Sequence, residues 1–207
     1  MRLARQELKD LMKNKMMQGG LCEEHAEQTA EILTWAHERG YASHGAVRVD
    51  YYTESIAKGG ITHNPNITWK QTGPCSGIMD GDNGIGYYVA TKATEKAIEI
   101  AKENGVAVVG MANVSHTGSI GYYTEMCAKE GLLAITFCQS DPMAVPYGGT
   151  EPYYGTNPIS FAAPTADDRL VVFDMATTVQ AWEKFLIRDL RELKSQQTGQ
   201  LMKKECR

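Results

Sequence analysis

The chain has 207 residues, 43% of them hydrophobic, which is enough to bury a core as one large domain or two small ones. A net charge of −4 without any Lys/Arg cluster argues against nucleic acid as a partner. No apolar run is long enough to span a membrane, and residues 1–15 mix charges with Leu and Met, so they read as an amphipathic helix without a signal-peptide core.

In chain order, Arg5–Gln18 is predicted as a helix stopped by Gly19-Gly20. A second helix is predicted over Glu23–Glu38, with Ala26, Ala30, Leu33 and Ala36 on its apolar side and Gly40 closing it. A third is predicted over residues 43–58, capped by Ser43 and stopped by Gly59-Gly60. Strands and helices then alternate. Strands are predicted at residues 67–71 and 76–80, followed by a glycine-rich loop and a helix over 87–102. A buried strand at 106–109, a helix over Gly121–Lys129, and strands at 132–138, 159–163 and 170–173 complete the series. This order predicts an α/β fold, with an N-terminal helical unit over residues 1–65 and a sheet domain over 66–182.

Cys22, Cys75, Cys127, Cys138 and Cys206 are scattered, and no C-x-x-C occurs. Neither a disulfide framework nor a metal site is expected, and the cytoplasm is the expected compartment. His44, Arg48 and Tyr52 are spaced four apart, which on a helix places them along one face. Together they offer a proton carrier, a planar carboxylate clamp and a hydroxyl. Spacing alone leaves both a solvated face and a ligand wall open.

The run Gly81-Asp82-Asn83-Gly84-Ile85-Gly86 lies between a predicted strand and a helix, where a dinucleotide fingerprint would sit. Its spacing is G-x-x-G-x-G rather than G-x-G-x-x-G, and the next strand ends without an acidic residue, so a plain turn is the better reading. His116, in Asn113-Val114-Ser115-His116-Thr117-Gly118, follows a predicted strand. A strand-end loop is a common place for catalysis, and imidazole suits proton transfer near neutral pH; a hydrogen-bonded structural histidine is equally compatible. Two polar loops, Gln139-Ser140-Asp141-Pro142 and Tyr153-Tyr154-Gly155-Thr156-Asn157-Pro158, could cradle a ligand or simply turn the chain. At the end of a strand, Asp174 could accept from sugar hydroxyls, and the backbone N–H groups after it could meet a phosphate.

Taken in order, Ser43-His44-Gly45 with Arg48 and Tyr52, Ser115-His116-Thr117-Gly118, Gly155-Thr156-Asn157-Pro158 and Asp174-Met175-Ala176 resemble the malate/L-lactate dehydrogenase family with its non-Rossmann nicotinamide fold. The resemblance spans residues 1–182 and is strongest toward the members that act on ureidoglycolate. It implies a mixed-sheet nicotinamide-binding domain and NAD as cofactor. It also implies oxidation of a ureido-bearing 2-hydroxy acid to oxalurate in allantoin breakdown, with malate, lactate or sulfolactate as alternative substrates. Arg48 would hold the substrate carboxylate, and His44 and Tyr52 would orient the substrate. His116 would take the hydroxyl proton, or His44 would, as in some relatives. Ser140, Asp174, Met175 and Ala176 would contact the cofactor, and a homodimer would be the assembly.

After Trp182 the resemblance stops. Residues 183–207 read either as an amphipathic helix carrying Leu186, Leu190 and Leu193 or as out-of-frame sequence. Allowed codons for residues 194–207, read from each third base, spell Ile-Pro-Ala-Asp-Trp-Ala-Val-Asp-Glu-Glu-Gly-Met-Pro, which resembles the family at this point. The expectation is a base lost near the Trp182 codon, an incomplete cofactor domain and an inactive polypeptide. Sequencing the gene across that codon tests it.

Overall fold

The computed structural model describes residues 3–167 and 169–178. The expectations for the Trp182 boundary and the out-of-frame tail therefore lie outside the described residues. The fold is α/β, and the described part divides into two compact units. One comprises Met1–Phe137 and Ile159–Met175; the other comprises Cys138–Pro158 and, of the described residues, 176–178.

The first unit opens with α1 (Arg5–Gln18) and α2 (Glu23–Glu38), at the predicted bounds. Ala26, Ala30, Leu33 and Ala36 are all fully buried, as their spacing requires. Ile32 and Trp35 widen that stripe. Thr29 and Thr34 are buried too, because each hydroxyl donates to the carbonyl four residues back, at 2.7 Å. Burial of Met16, Ile32, Leu33 and Ile56 stabilises the packing by about 1.5–3 kcal/mol per side chain.

The predicted third helix is broken. Ala42–His44 and Ala46–Arg48 form two separate 3-10 turns, and α3 covers only Val49–Ala57. The Ser43 side chain caps nothing here. Gly45 is the cause: it takes φ −104°, ψ −142°, and an added Cβ would stand 2.9 Å from His37 Nδ1 at the end of α2. The chain must press against α2 at this point, and a continuous helix cannot do so. The predicted stop holds, with Gly59 at φ 76° donating its N–H to Ile56. The expected boundary at residue 65 falls in the segment between α3 and β1.

β1 (Thr68–Gly73), β2 (Ser76–Gly84) and β3 (Val108–Val114) form a mixed sheet, with β1 antiparallel and β3 parallel to β2. α4 (Gly86–Asn104) supplies the β2–β3 crossover and packs Val89 and Ala93 onto Met79, Val109 and Val114. Within the glycine-rich run, residues 81–84 end β2 and Gly86 opens α4. The β2 register slips between Asp80 and Gly84, with Asp82 and Asn83 at φ 47° and 54°, a left-handed bend that Asp and Asn tolerate. The predicted buried strand at 106–109 starts two residues later than expected. Val106 lies ahead of β3, and both it and Val108 are exposed; among the described residues β3 stands at the edge of its sheet.

α5 (Gly121–Lys129) lies at its predicted bounds. β4 (Ala134–Phe137), β5 (Ile159–Pro164) and β6 (Leu170–Met175) make a second, wholly antiparallel sheet. Ser160 and Ala162 on its inner face are fully buried, and Thr124 of α5 bonds Ser160 Oγ at 2.7 Å. Ile135, Phe161 and Phe173 align across the strands on the opposite face and stay exposed.

Candidate active site

All four polar side chains expected to handle substrate come from the first unit, on four separate segments. His44 ends the first 3-10 turn, with Nδ1 3.0 Å from Ser43 Oγ. Arg48 ends the second, and its Nε–H donates to the Ser43 carbonyl at 3.0 Å, which anchors the guanidinium. Tyr52 lies on α3 and is fully buried. His116 follows β3 and keeps a solvent-exposed edge.

The structure brings these groups together. The His44 and His116 rings stack with centroids 5.7 Å apart and planes 30° apart. Tyr52 Oη sits 2.6 Å from His116 Nδ1 and 2.9 Å from Tyr87 Oη. Tyr87, the second residue of α4, went unrecognised in the sequence because it belongs to no motif. The one trace of it is indirect: Gly118, at φ 76°, fits under the Tyr87 ring, and a Cβ there would overlap it.

The loop that carries His116 is tied down at several points. Gly86 N–H donates to Ser115 Oγ at 2.9 Å, and a Cβ on Gly86 would overlap the Ser115 carbonyl oxygen. Tyr123 Oη donates to the Thr117 carbonyl at 2.7 Å. Asp174 Oδ2 accepts from Ser119 Oγ at 2.7 Å and from Gly121 N–H at 2.8 Å. Held at these points, the backbone that carries the imidazole is fixed in place.

Burial, and then the positive charges of Arg48 and His44, pull the His116 pKa down to about 3. Because one edge of the residue stays open to solvent, the direction is what matters: His116 is a neutral imidazole at neutral pH. Burial lifts the Tyr52 hydroxyl to about 12 against the opposing pull of Arg48, and lifts Tyr87 well above the ordinary phenol range. Both phenols therefore keep their protons. The cluster can hold an anion beside Arg48 and exchange a hydrogen bond or proton at an imidazole.

A family model described as malate/L-lactate dehydrogenase matches residues 3–201. The chain belongs to the malate/L-lactate dehydrogenase family. It is 52% identical over 186 residues to a ureidoglycolate dehydrogenase (NAD(+)) of Escherichia coli O157:H7, covering 90% of this chain and 53% of that protein. Among solved structures, malate dehydrogenase from Pyrococcus horikoshii OT3 superposes with a TM-score of 0.85 at 37% identity, over 89% of this chain and 53% of that one. Sulfolactate dehydrogenase from Methanocaldococcus jannaschii gives 0.84 at 35% identity, over 93% and 55%. The chain thus spans about half the length of the relatives it matches. Its helices and mixed sheet match those family structures.

Membership gives a frame for the cofactor-side residues, and the structure gives them local work. In the second unit, Ser140 N–H donates to Asn157 Oδ1 at 3.1 Å, and Ser140 Oγ accepts from Asn157 N–H at 3.1 Å and lies 2.9 Å from Thr156 Oγ1. Ser140 therefore staples the two polar loops, with Gly155 packed onto its carbonyl. Asp174 secures the start of α5 through Oδ2. Met175 ends β6 and is about half exposed; Ala176 follows it. Within the second unit, small and braced polar loops suit a nucleotide in residue type. Among the described residues, no helix is long and apolar enough to cross a membrane.

Proposed function

We propose that this site belongs to an NAD-dependent oxidoreductase that oxidises (S)-ureidoglycolate to oxalurate. What supports this reading most is one cluster that combines an anchored guanidinium with two stacked imidazoles, one of them neutral at neutral pH. Arg48 binds the substrate carboxylate through its planar fork. Proton exchange at the 2-hydroxyl falls to the imidazole pair, His116 and His44. The bound substrate carboxylate offsets the charge of Arg48, which raises the basicity of His116 when it is needed. NAD supplies the hydride acceptor, and Ser140, Asp174, Met175 and Ala176 would hold it.

Ureidoglycolate is preferred over malate, lactate and sulfolactate because similarity to ureidoglycolate dehydrogenase, at 52%, exceeds that to a Pyrococcus abyssi malate dehydrogenase, at 39%. A cytoplasmic homodimer is the proposed assembly, read from the family. Since the chain spans half the length of its relatives, ligand binding is the first readout and turnover the second. Calorimetric titration with oxalurate, with the 2-oxo acids of malate and lactate as competitors, is expected to favour oxalurate by about tenfold, or 1.4 kcal/mol. Arg48→Gln is expected to abolish binding of all of them. Equal affinities would overturn the substrate choice, and unchanged binding by Arg48→Gln would overturn the clamp.

A further inference from the structure

Tyr52 was expected to orient substrate, but its position fits another task. It is fully buried, and both sides of its hydroxyl are engaged, by Tyr87 Oη at 2.9 Å and His116 Nδ1 at 2.6 Å. A phenol has a single hydrogen to give. Two arrangements of hydrogens satisfy both contacts with Tyr52 as a donor; a third, in which Tyr52 accepts from both neighbours, leaves its own buried hydrogen without a partner and is disfavoured on that ground. In the first, Tyr87 donates to Tyr52 and Tyr52 donates to His116 Nδ1, so the imidazole hydrogen sits on Nε2. In the second, His116 Nδ1–H donates to Tyr52 and Tyr52 donates to Tyr87, which leaves Nε2 bare.

The two are not equivalent. The second strands the Tyr87 hydroxyl hydrogen inside a fully buried site where Tyr52 is its one recorded hydrogen-bond partner among the described residues. The first uses every phenolic hydrogen and turns Nε2–H, the nitrogen not held by Tyr52, toward a ligand. Stranding a buried donor is costly enough to favour the first arrangement by about tenfold or more.

We infer that Tyr52, backed by Tyr87, is a positioning residue that fixes His116 as the Nε2–H tautomer, so that the resting site presents a hydrogen-bond donor to the ligand oxygen. This rests on the proposed dehydrogenase reading for its functional meaning. A carbonyl oxygen can only accept, so the resting tautomer suits the 2-oxo acid. Taking a hydroxyl proton at Nε2 requires the minor tautomer, with both phenolic hydrogens turned around. The pair of tyrosines therefore tilts the site toward binding the oxidised ligand.

The test needs no substrate. Protein labelled with 15N-histidine is examined by long-range 1H–15N correlation at neutral pH, with the His116 signals assigned from their loss in His116→Gln. The wild type is expected to show an unprotonated Nδ1 and a protonated Nε2, with one tautomer dominant by about tenfold or more. Tyr87→Phe is expected to keep that tautomer, because the Tyr52 hydrogen still needs Nδ1 as its acceptor. Tyr52→Phe is expected to mix the tautomers, with the ratio falling severalfold. A merely structural tyrosine would leave the nitrogen signature unchanged. A protonated Nδ1 in the wild type, or an unchanged ratio in Tyr52→Phe, overturns the inference. Titration with oxalurate on the same sample separates the two claims: a fixed Nε2–H tautomer with no oxalurate binding sinks the enzyme reading and leaves the tautomer standing.

Discussion

Asp174 offers the sharpest separation between a structural task and a cofactor task. Its Oδ2 accepts from Ser119 Oγ and from Gly121 N–H, the first residue of α5. Gly121 and Ser119 are buried, so truncation to Ala leaves two donors without a partner. Hydrogen bonds to a charged group are worth about 1.5–3 kcal/mol each, but these two share one oxygen and are not additive. Asp174→Ala is therefore expected to cost about 2–4 kcal/mol. Asp174→Asn keeps an acceptor oxygen and loses the favourable interaction of a negative charge with a helix N-terminus, about 0.5–1 kcal/mol. Urea unfolding followed by circular dichroism, with a shared m-value, measures both. Ser119→Ala alone and combined with Asp174→Ala then gives the coupling directly. An Asp174→Ala midpoint within about 0.5 kcal/mol of wild type would refute the capping role. NADH fluorescence titration of Asp174→Asn is the complementary measurement: lost affinity at near-native stability would assign the remaining oxygen to the cofactor.

Three further outcomes are expected. Gly86→Ala should destabilise by about 1–3 kcal/mol through overlap with the Ser115 carbonyl, whereas Gly110→Ala, whose Cβ meets nothing closer than 3.7 Å, should be far milder on a thermal melt. Glu125, a buried carboxylate that accepts from Trp35 Nε1 at 3.1 Å and pairs with Arg39 and Lys129, should cost about 2–4 kcal/mol as Glu125→Ala and clearly less as Glu125→Gln. His116 and His25 both have depressed pKa values through burial, so as pH falls below about 6.5 the unfolded chain binds more protons than the folded one. Stability should fall as pH drops below that value, and His25→Phe should flatten the decline in urea midpoints; an identical slope in the variant would remove His25 from the account.

How much could be read from the chain differed by scale. Periodicity and stop residues located α1, α2 and α5 at their bounds because local spacing determines an amphipathic helix. The strands are legible but shifted: the apolar run at 106–109 predicts a buried strand, whereas β3 begins at Val108 and, at the sheet edge among the described residues, leaves Val108 exposed, with Val106 exposed ahead of it. His44, Arg48 and His116 were legible as a set, and the cluster does assemble. Tyr87 was not, since its hydroxyl matters only through a contact 35 residues away in sequence. The break at Gly45 was missed as well. Ser43 and the four-residue spacing both argue for one helix, and only the close approach to His37 forbids it.

That break changes what the ladder means. On a continuous helix, His44 would stand two turns from Tyr52, about 12 Å along the axis, with all three side chains along one stripe. Interrupted at Gly45, the chain instead brings the His44 ring against His116, while α3 carries Tyr52 inward to full burial. The three residues then divide into two ranks. His44, Arg48 and the open edge of His116 form the rank that a ligand can touch, and Tyr52 with Tyr87 stands behind it. On the proposed reading, a carboxylate at Arg48 would find the stacked His44 and His116 rings already in place beside it. Preorganisation of this kind lowers the entropic cost of binding, because the groups that meet the ligand are already assembled.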